Sequence, residues 1–237
     1  MKKKSSKRYK KLLDASKDKK AQILEEAIKK IKNNCTAKFD ESIDVYLNLN
    51  LKQKKTETNV RTTVNLPHGN GKKIKIAVLC EETKTKDAKE AGALLAGSEN
   101  LIKDISAGKI NFDKLIATPT MMSKIGKLGK ILGPKGLMPN PKLGTVSADV
   151  KKAVKALKEG QIEIKNDKDG NIGASIGKKS FPDNKISENF NALIQTIQKE
   201  KPNGIKGHFI LSSFLTSTMG ISYKLKLWWT KIKRKII

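Results

Sequence analysis

The sequence predicts a two-domain protein of mixed α/β and α+β class: a discontinuous α+β domain I interrupted by an inserted, Rossmann-like α/β domain II. Three observations predict it. Apolar and polar residues alternate in short segments near both ends of the chain, the mark of strands with one buried face. A near-continuous apolar strand of the parallel-sheet kind opens the middle, followed by strand–helix alternation. Strong breaks at residues 67–71 (Pro-His-Gly-Asn-Gly) and at Gly160 separate the two patterns.

In chain order, residues 17–33 read as an amphipathic helix. Leu24, Ala27, Ile28 and Ile31 recur at helical spacing, and Asn33-Asn34 can end it. Ile43, Val45, Leu47 and Leu49 alternate with Asp44, Tyr46, Asn48 and Asn50 to make a half-buried strand. A polar, basic loop follows at 52–59. Val60, Thr62, Val64 and Leu66 alternate again, giving a second strand, read as the hairpin partner of the first. After the break, 73–80 forms the apolar strand, 87–96 and 100–107 read as helices, and 113–118 is a short strand stopped by Pro119. The glycine- and proline-rich stretch 126–144 reads as a loop without secondary structure. Residues 148–158 are helical, with Val150, Val154 and Leu157 on one face and Gly160 as the stop. Beyond Gly160 the first pattern returns. Strands at 161–165 and 171–176 flank a turn at 166–170, Phe190, Leu193, Ile194 and Ile197 mark a helix, and 207–217 is a last strand. Neither flank alone has enough elements to close a core, whereas joined they do. Domain I is therefore expected over residues 1–68 plus 161–237 and domain II over 69–160, with the two crossing connections acting as a hinge.

The charge balance points to a polyanionic partner. The 237 residues include 50 Lys and Arg against 23 Asp and Glu, a net charge of +27 and a pI near 10.0. The excess is spread over the whole chain rather than gathered in one tail, which suits broad contact with a phosphate backbone. The competing reading is lysine-rich surface kept for solubility; only Arg8, Arg61 and Arg234 are arginine. The basic N-terminus is not followed by an apolar stretch, so it makes a poor signal peptide, and the longest apolar runs fall far short of the roughly 20 residues a spanning helix needs. A cytoplasmic protein is expected.

The search for catalytic chemistry returns little. Gly129 and Gly133 are one residue too close for a P-loop, and Gly173–Lys178 also misses the spacing, with Lys179 in place of the hydroxyl residue. Gly69-Asn70-Gly71 precedes a strand and lacks the third glycine of a dinucleotide fingerprint. Cys35 and Cys80 are far apart and read as buried small hydrophobes. Only His68 and His208 are present, so neither a zinc site nor a Ser-His-Asp arrangement has much to draw on. Glu25-Glu26, Asp40-Glu41 and Glu81-Glu82 read as solvated acids. No cofactor, metal or small-molecule substrate is expected, and the chain is read as a binding protein rather than an enzyme.

The informative stretch is 127–146, K-L-G-K-I-L-G-P-K-G-L-M-P-N-P-K-L-G-T-V, with four glycines and three prolines in an apolar, lysine-bearing frame. Such a loop can present lysines at low entropic cost or can simply cover a sheet edge. The longer run 116–146 resembles the hallmark of the large-subunit ribosomal protein L-one family of bacteria. So do Ala37-Lys38-Phe39-Asp40-Glu41-Ser42, residues 59–69 (N-V-R-T-T-V-N-L-P-H-G), Ile176-Gly177-Lys178 and Thr216-Ser217-Thr218-Met219-Gly220. The matches fall in order from residue 7 to about 222.

The resemblance implies a discontinuous domain I that holds the stalk helices of large-subunit ribosomal RNA, and an inserted α/β domain II. It implies further partners: the chain's own operon messenger RNA, whose translation it would repress, and exit-site transfer RNA, whose movement and release it would assist. Carried over residue by residue, the family's RNA-contact patch falls on Lys38, Phe39 and Ser42 on one side and Ser217, Thr218, Met219 and Gly220 on the other. Gly177, Lys178 and Ser180 are weaker candidates on a neighbouring strand end. Short hydroxyls and a glycine backbone suit 2′-hydroxyls and phosphates, and Met and Phe can pack on sugars or bases; the competing reading makes Phe39 and Met219 core residues. Lys127, Lys130 and Lys135 in domain II are the candidates for transfer-RNA or long-range phosphate contact. The chain departs from the family at Met219-Gly220-Ile221, where many relatives have proline third. Its end, residues 224–237, carries six basic and no acidic groups with Trp228-Trp229. That end reads first as a bland, partly disordered extension, with an RNA or a membrane-surface contact as the alternatives. A general cationic binder of nucleic acid or membrane surfaces is the alternative function.

Overall fold

The computed structural model describes residues 6–15, 20–51, 60–202, 205 and 207–226. The expected loop at 52–59, the first residues of the helix expected at 17–33, and Trp228-Trp229 lie outside them. The chain mixes helices with strands in several sheets and divides into two compact units, Met1–Gly71 with Ile164–Ile237, and Lys72–Glu163.

The first unit opens with α1 (Lys7–Ala15), which no sequence pattern announced, and α2 (Leu24–Asn34). The expected helix at 17–33 therefore starts late. Its cause is Gln22, whose amide donates to the Lys224 carbonyl at 2.9 Å and whose carbonyl accepts from Lys226 at 2.7 Å, so this backbone is spent on a parallel bridge rather than a helical turn. Strand β1 (Ser42–Leu49) buries Ile43, Val45, Leu47 and Leu49, as the alternation requires. β2 (Arg61–Asn65) follows.

In the second unit β3 (Ile76–Leu79) is buried on both faces. Ala77 and Leu79 enter one core with Leu101, Ile105, Leu115, Ile125 and Leu132; Ile76, Val78 and Cys80 enter another with Ala88, Val150, Val154 and Leu157. This two-sided burial is why 73–80 reads as a continuous apolar run. After α3 (Thr85–Glu90), β4 (Leu95–Gly97) pairs in parallel with β3. The expected helix at 87–96 is thus a short helix and a strand. Gly92, at φ +91°, turns the chain out of the helix, and the Leu94 amide is taken by the Ile76 carbonyl at 2.8 Å. Next come α4 (Glu99–Ser106) and β5 (Lys114–Ala117), which completes the parallel order β4-β3-β5. The glycine- and proline-rich stretch is not irregular. It contains the end of α5 (Met122–Gly126), then α6 (Gly129–Leu132) and a 3₁₀ turn at Pro141–Leu143, because Ile125, Leu128, Leu132 and Leu143 are all drawn into the core. α7 (Val150–Glu159) is capped by Asp149, whose side chain accepts from the Lys152 amide, and ends at Gly160 with φ +110°.

The chain returns to the first unit along β6 (Gln161–Lys165), then β7 (Asn171–Lys178), α8 (Asp183–Lys199), β8 (Ile210–Ser217) and β9 (Tyr223–Lys224). The main sheet has the order β7-β1-β8-β9, with antiparallel pairings throughout. The expected hairpin of β1 with β2 does not form. Both edges of β1 are occupied, by β7 and β8, and β2 pairs with β6 instead. Beyond that pair, the Asn166 side-chain oxygen accepts from the Val60 amide at 2.8 Å while the Asn166 backbone amide donates to the Val60 carbonyl at 3.1 Å. α2 and α8 cover one face of the main sheet, burying Ile28, Ile31, Leu193 and Ile197. The first residues of the basic C-terminal run belong to this sheet as β9 and the Gln22–Leu225 bridge.

Candidate nucleic-acid interface

Antiparallel register gathers distant segments at one end of the main sheet. Ser42, the first residue of β1, stands opposite Lys178, the last of β7, while Ile43 stands opposite Ser217, the last of β8. The connection from α2 to β1 (residues 35–41) and the turn after β8 (residues 218–221) therefore meet. This brings together Lys38, Phe39, Ser42, Lys178, Thr218, Met219 and Gly220.

The two segments are stitched by hydrogen bonds. The Thr218 amide donates to the Ser42 carbonyl at 3.1 Å, and the Ser42 amide donates to the Thr218 hydroxyl at 3.0 Å. The Gly220 amide closes the turn on the Ser217 carbonyl at 3.2 Å. A Cβ on Gly220 would fall 2.3 Å from the Ser217 hydroxyl oxygen, so this position accepts glycine alone without rearrangement. On the other side the Lys179 amide donates to the Glu41 carbonyl at 2.8 Å, and Ser180 donates twice to the Asp40 carboxylate, from its amide at 3.1 Å and its hydroxyl at 2.8 Å.

On this rigid frame Phe39 and Met219 are thrust outward, 53% and 48% exposed. Neither is a core residue, although both are large and apolar. Lys38 and Thr218 are exposed beside them. Two candidates are not at the surface. Ser217 is 4% exposed because its side chain turns inward toward Glu41, and Gly177 is buried against the Phe181 ring. Both shape the patch from below. Ser180 is exposed, yet its hydroxyl is committed to Asp40.

Glu41, expected to be solvated, is fully buried at the centre of the patch. Its carboxylate accepts from the amides of Ala37 and Met219, each at 3.1 Å, one on either side of the junction. Burial pushes its pKa up, but the Ser217 hydroxyl, these two amides and the nearby Arg8 guanidinium outweigh that and hold it below the ordinary range. Arg8 on α1 in turn donates to the Met219 carbonyl and the Thr36 hydroxyl, both at 3.0 Å. Beneath, burial pushes the Cys35 thiol up, and Lys179 donates to the Cys35 carbonyl. Glu41 and Arg8 escaped the sequence reading. An acid beside another acid and an arginine 211 positions from its acceptor carry no local signal.

Lys127, Lys130 and Lys135 lie in the second unit, at the end of α5, on α6 and just beyond it, all exposed. No group of His, Cys, Asp and Glu suited to a metal ion occurs among the described residues, and no helix among them is long and apolar enough to cross a membrane.

A strongly basic α+β protein whose sheet ends in a braced, outward-facing Phe–Met–Thr–Lys patch has the charge and exposed surface expected of a protein that meets a polyanion. Comparison with known proteins makes the class specific: the Ribosomal protein L1p/L10e family matches residues 29–221, and the chain belongs to that family. It is 59% identical over 223 residues to the large ribosomal subunit protein uL1 of Pelagibacter ubique, covering 94% of this chain and 97% of that protein. It is 44% identical over 225 residues to uL1 of Fervidobacterium nodosum (94% and 96%) and 48% identical over 201 residues to uL1 of Rickettsia bellii (85% and 84%).

Proposed function

We propose that this chain is a structural constituent of the large ribosomal subunit. It works in the cytoplasm as part of the ribosome and not as an enzyme. Its discontinuous domain I (1–68 plus 161–237) grips the stalk region of ribosomal RNA through Lys38, Phe39, Ser42, Lys178, Thr218, Met219 and Gly220. The same patch binds the chain's own operon messenger RNA and represses its translation. The Rossmann-like domain II (69–160) contributes Lys127, Lys130 and Lys135 to contact with exit-site transfer RNA during its movement and release.

The observation that carries this reading is the exposure of Phe39 and Met219 on a backbone fixed from behind. Two large apolar side chains held in water by hydrogen-bonded turns are poor design for a monomer's surface and good design for packing on sugars and bases in a shallow groove. Exposed Lys38 beside them supplies charge for phosphate.

The test is a filter-binding titration with a stalk-like ribosomal RNA hairpin and a scrambled RNA of equal length. A preference of about a thousandfold or more for the hairpin is expected. Met219→Ala should weaken the hairpin complex selectively. Equal affinity for both RNAs, falling steeply with salt, would reduce the chain to a general polycation.

A further inference from the structure

The face of the main sheet turned away from α2 and α8 carries an aromatic pair that the end-of-sheet patch does not use. In β1 the buried residues are Ile43, Val45, Leu47 and Leu49, so Ser42, Asp44, Tyr46 and Asn48 share the opposite, open face. Tyr46 stands directly across from Phe214 on β8 and from Gly173 on β7, and Phe214 stands across from Lys224 on β9. One row across all four strands thus reads Gly173, Tyr46, Phe214, Lys224.

Gly173 decides the pose of the tyrosine. A Cβ there would lie 2.9, 3.3 and 3.7 Å from three atoms of the Tyr46 ring. The ring therefore sits against the bare backbone of β7 in the space a side chain there would take, and Tyr46 is 49% exposed. Phe214, half-buried, is the neighbouring ring. The rows on either side are polar: Asn171, Asn48 and Ser212 in one, Ser175, Asp44 and Thr216 in the other.

We propose that this open face is a second RNA-binding surface, which takes single-stranded RNA by stacking its bases on Tyr46 and Phe214. Directly opposed residues on the two central strands place their Cβ atoms about 5 Å apart, a spacing that lets neighbouring bases stack side by side. The Asn48 NH₂ donates to the Asn171 side-chain oxygen at 2.7 Å, which fixes the Asn48 oxygen as an acceptor for base edges, and the Ser212 hydroxyl adds a donor and acceptor beside it. Exposed Lys224, at the end of the aromatic row, meets the phosphate backbone. Asp44, in the neighbouring row on β1, disfavours phosphate on that side of Tyr46. A protein partner fits less well: two rings among polar side chains fall far short of the roughly 800 Å² per partner that a stable interface buries. The net charge of +27 selects a polyanion, and the same face runs on to Ser42 and Lys178 at the end-of-sheet patch. The surface acts whether or not that patch holds the stalk RNA.

The test uses the full-length chain with an octauridylate RNA as probe. Tyr46→Leu and Phe214→Leu keep apolar volume but remove the π face. Each should weaken octauridylate binding about fivefold or more, with the salt slope unchanged. Lys224→Gln should instead lower that slope by about 0.7. Met219→Ala should leave octauridylate binding intact while weakening the structured hairpin, which separates this surface from the stalk contact. Photocrosslinking of the unaltered chain to 4-thiouridine RNA should label peptides containing Tyr46 and Phe214. Wild-type affinity in the double leucine variant would overturn the proposal. So would crosslinks confined to other segments, the Trp228-Trp229 region included, and that second readout holds even if the double variant fails to fold.

Discussion

Glu41 is the residue on which the patch depends. A carboxylate removed from water is tolerable only when its charge is met by donors, and here two backbone amides and a serine hydroxyl meet it. The donors come from segments far apart in sequence, so the carboxylate joins the 35–41 connection to the 217–220 turn. Glu41→Gln replaces one acceptor oxygen with an NH₂ that faces a donor, and should destabilise the fold by about 1–3 kcal/mol at neutral pH. The pH dependence has a definite sign. Because the folded carboxyl titrates below its ordinary value of 4.5, its contribution is complete above that value and is lost as pH falls through the depressed folded pKa. Urea denaturation across an acid series should therefore show the wild-type advantage over Glu41→Gln shrinking toward low pH. A gap that does not change with pH would show that the carboxylate's charge plays no part.

At the scale of elements, the helices and strands follow ordinary rules, and their ends are set by single residues. α7 stops where Gly160 adopts φ +110°, a conformation that any side chain strains. Gly160→Ala should cost about 1–2 kcal/mol, measured as a lowered urea midpoint with unchanged m. An unaffected midpoint would mean that the turn relaxes to another geometry. A second anchor is Asn189, fully buried on α8. Its side chain accepts from the His68 amide and donates to the carbonyls of Gly69 and Ile176, so one residue fastens the 68–69 turn to β7. The helical periodicity at Phe190, Leu193 and Ile197 predicts α8, but an asparagine beside it looks like surface.

For the whole molecule the dominant quantity is charge. Each phosphate neutralised on RNA binding contributes about 0.7–0.9 to the slope of log affinity against log salt. If domain II meets transfer RNA through its lysines, the triple replacement of Lys127, Lys130 and Lys135 by Gln should lower that slope by up to about 2 for transfer RNA. It should leave the stalk-hairpin slope unchanged. An equal change for both RNAs would mean that these lysines act only through the general field of the protein.

The alternation in β1, the two-sided burial of β3 and the amphipathic faces of α2, α7 and α8 could all be read from the chain, because apolar periodicity is a local property that burial enforces. The motif at 116–146 and the run at 216–220 were likewise sufficient to suggest the family. Pairing was not legible. Which strand lies beside β1 depends on contacts between residues more than a hundred positions apart, and these displaced the expected hairpin with β2. Short elements were lost because pairing rather than pattern makes them: β4 and β9 exist through hydrogen bonds to β3 and β8, not through their own propensity. The same holds within the patch. Its exposed members carry the family's motif residues, whereas Glu41, Arg8 and the inward turn of Ser217 depend on which donors and acceptors the fold brings within about 3 Å.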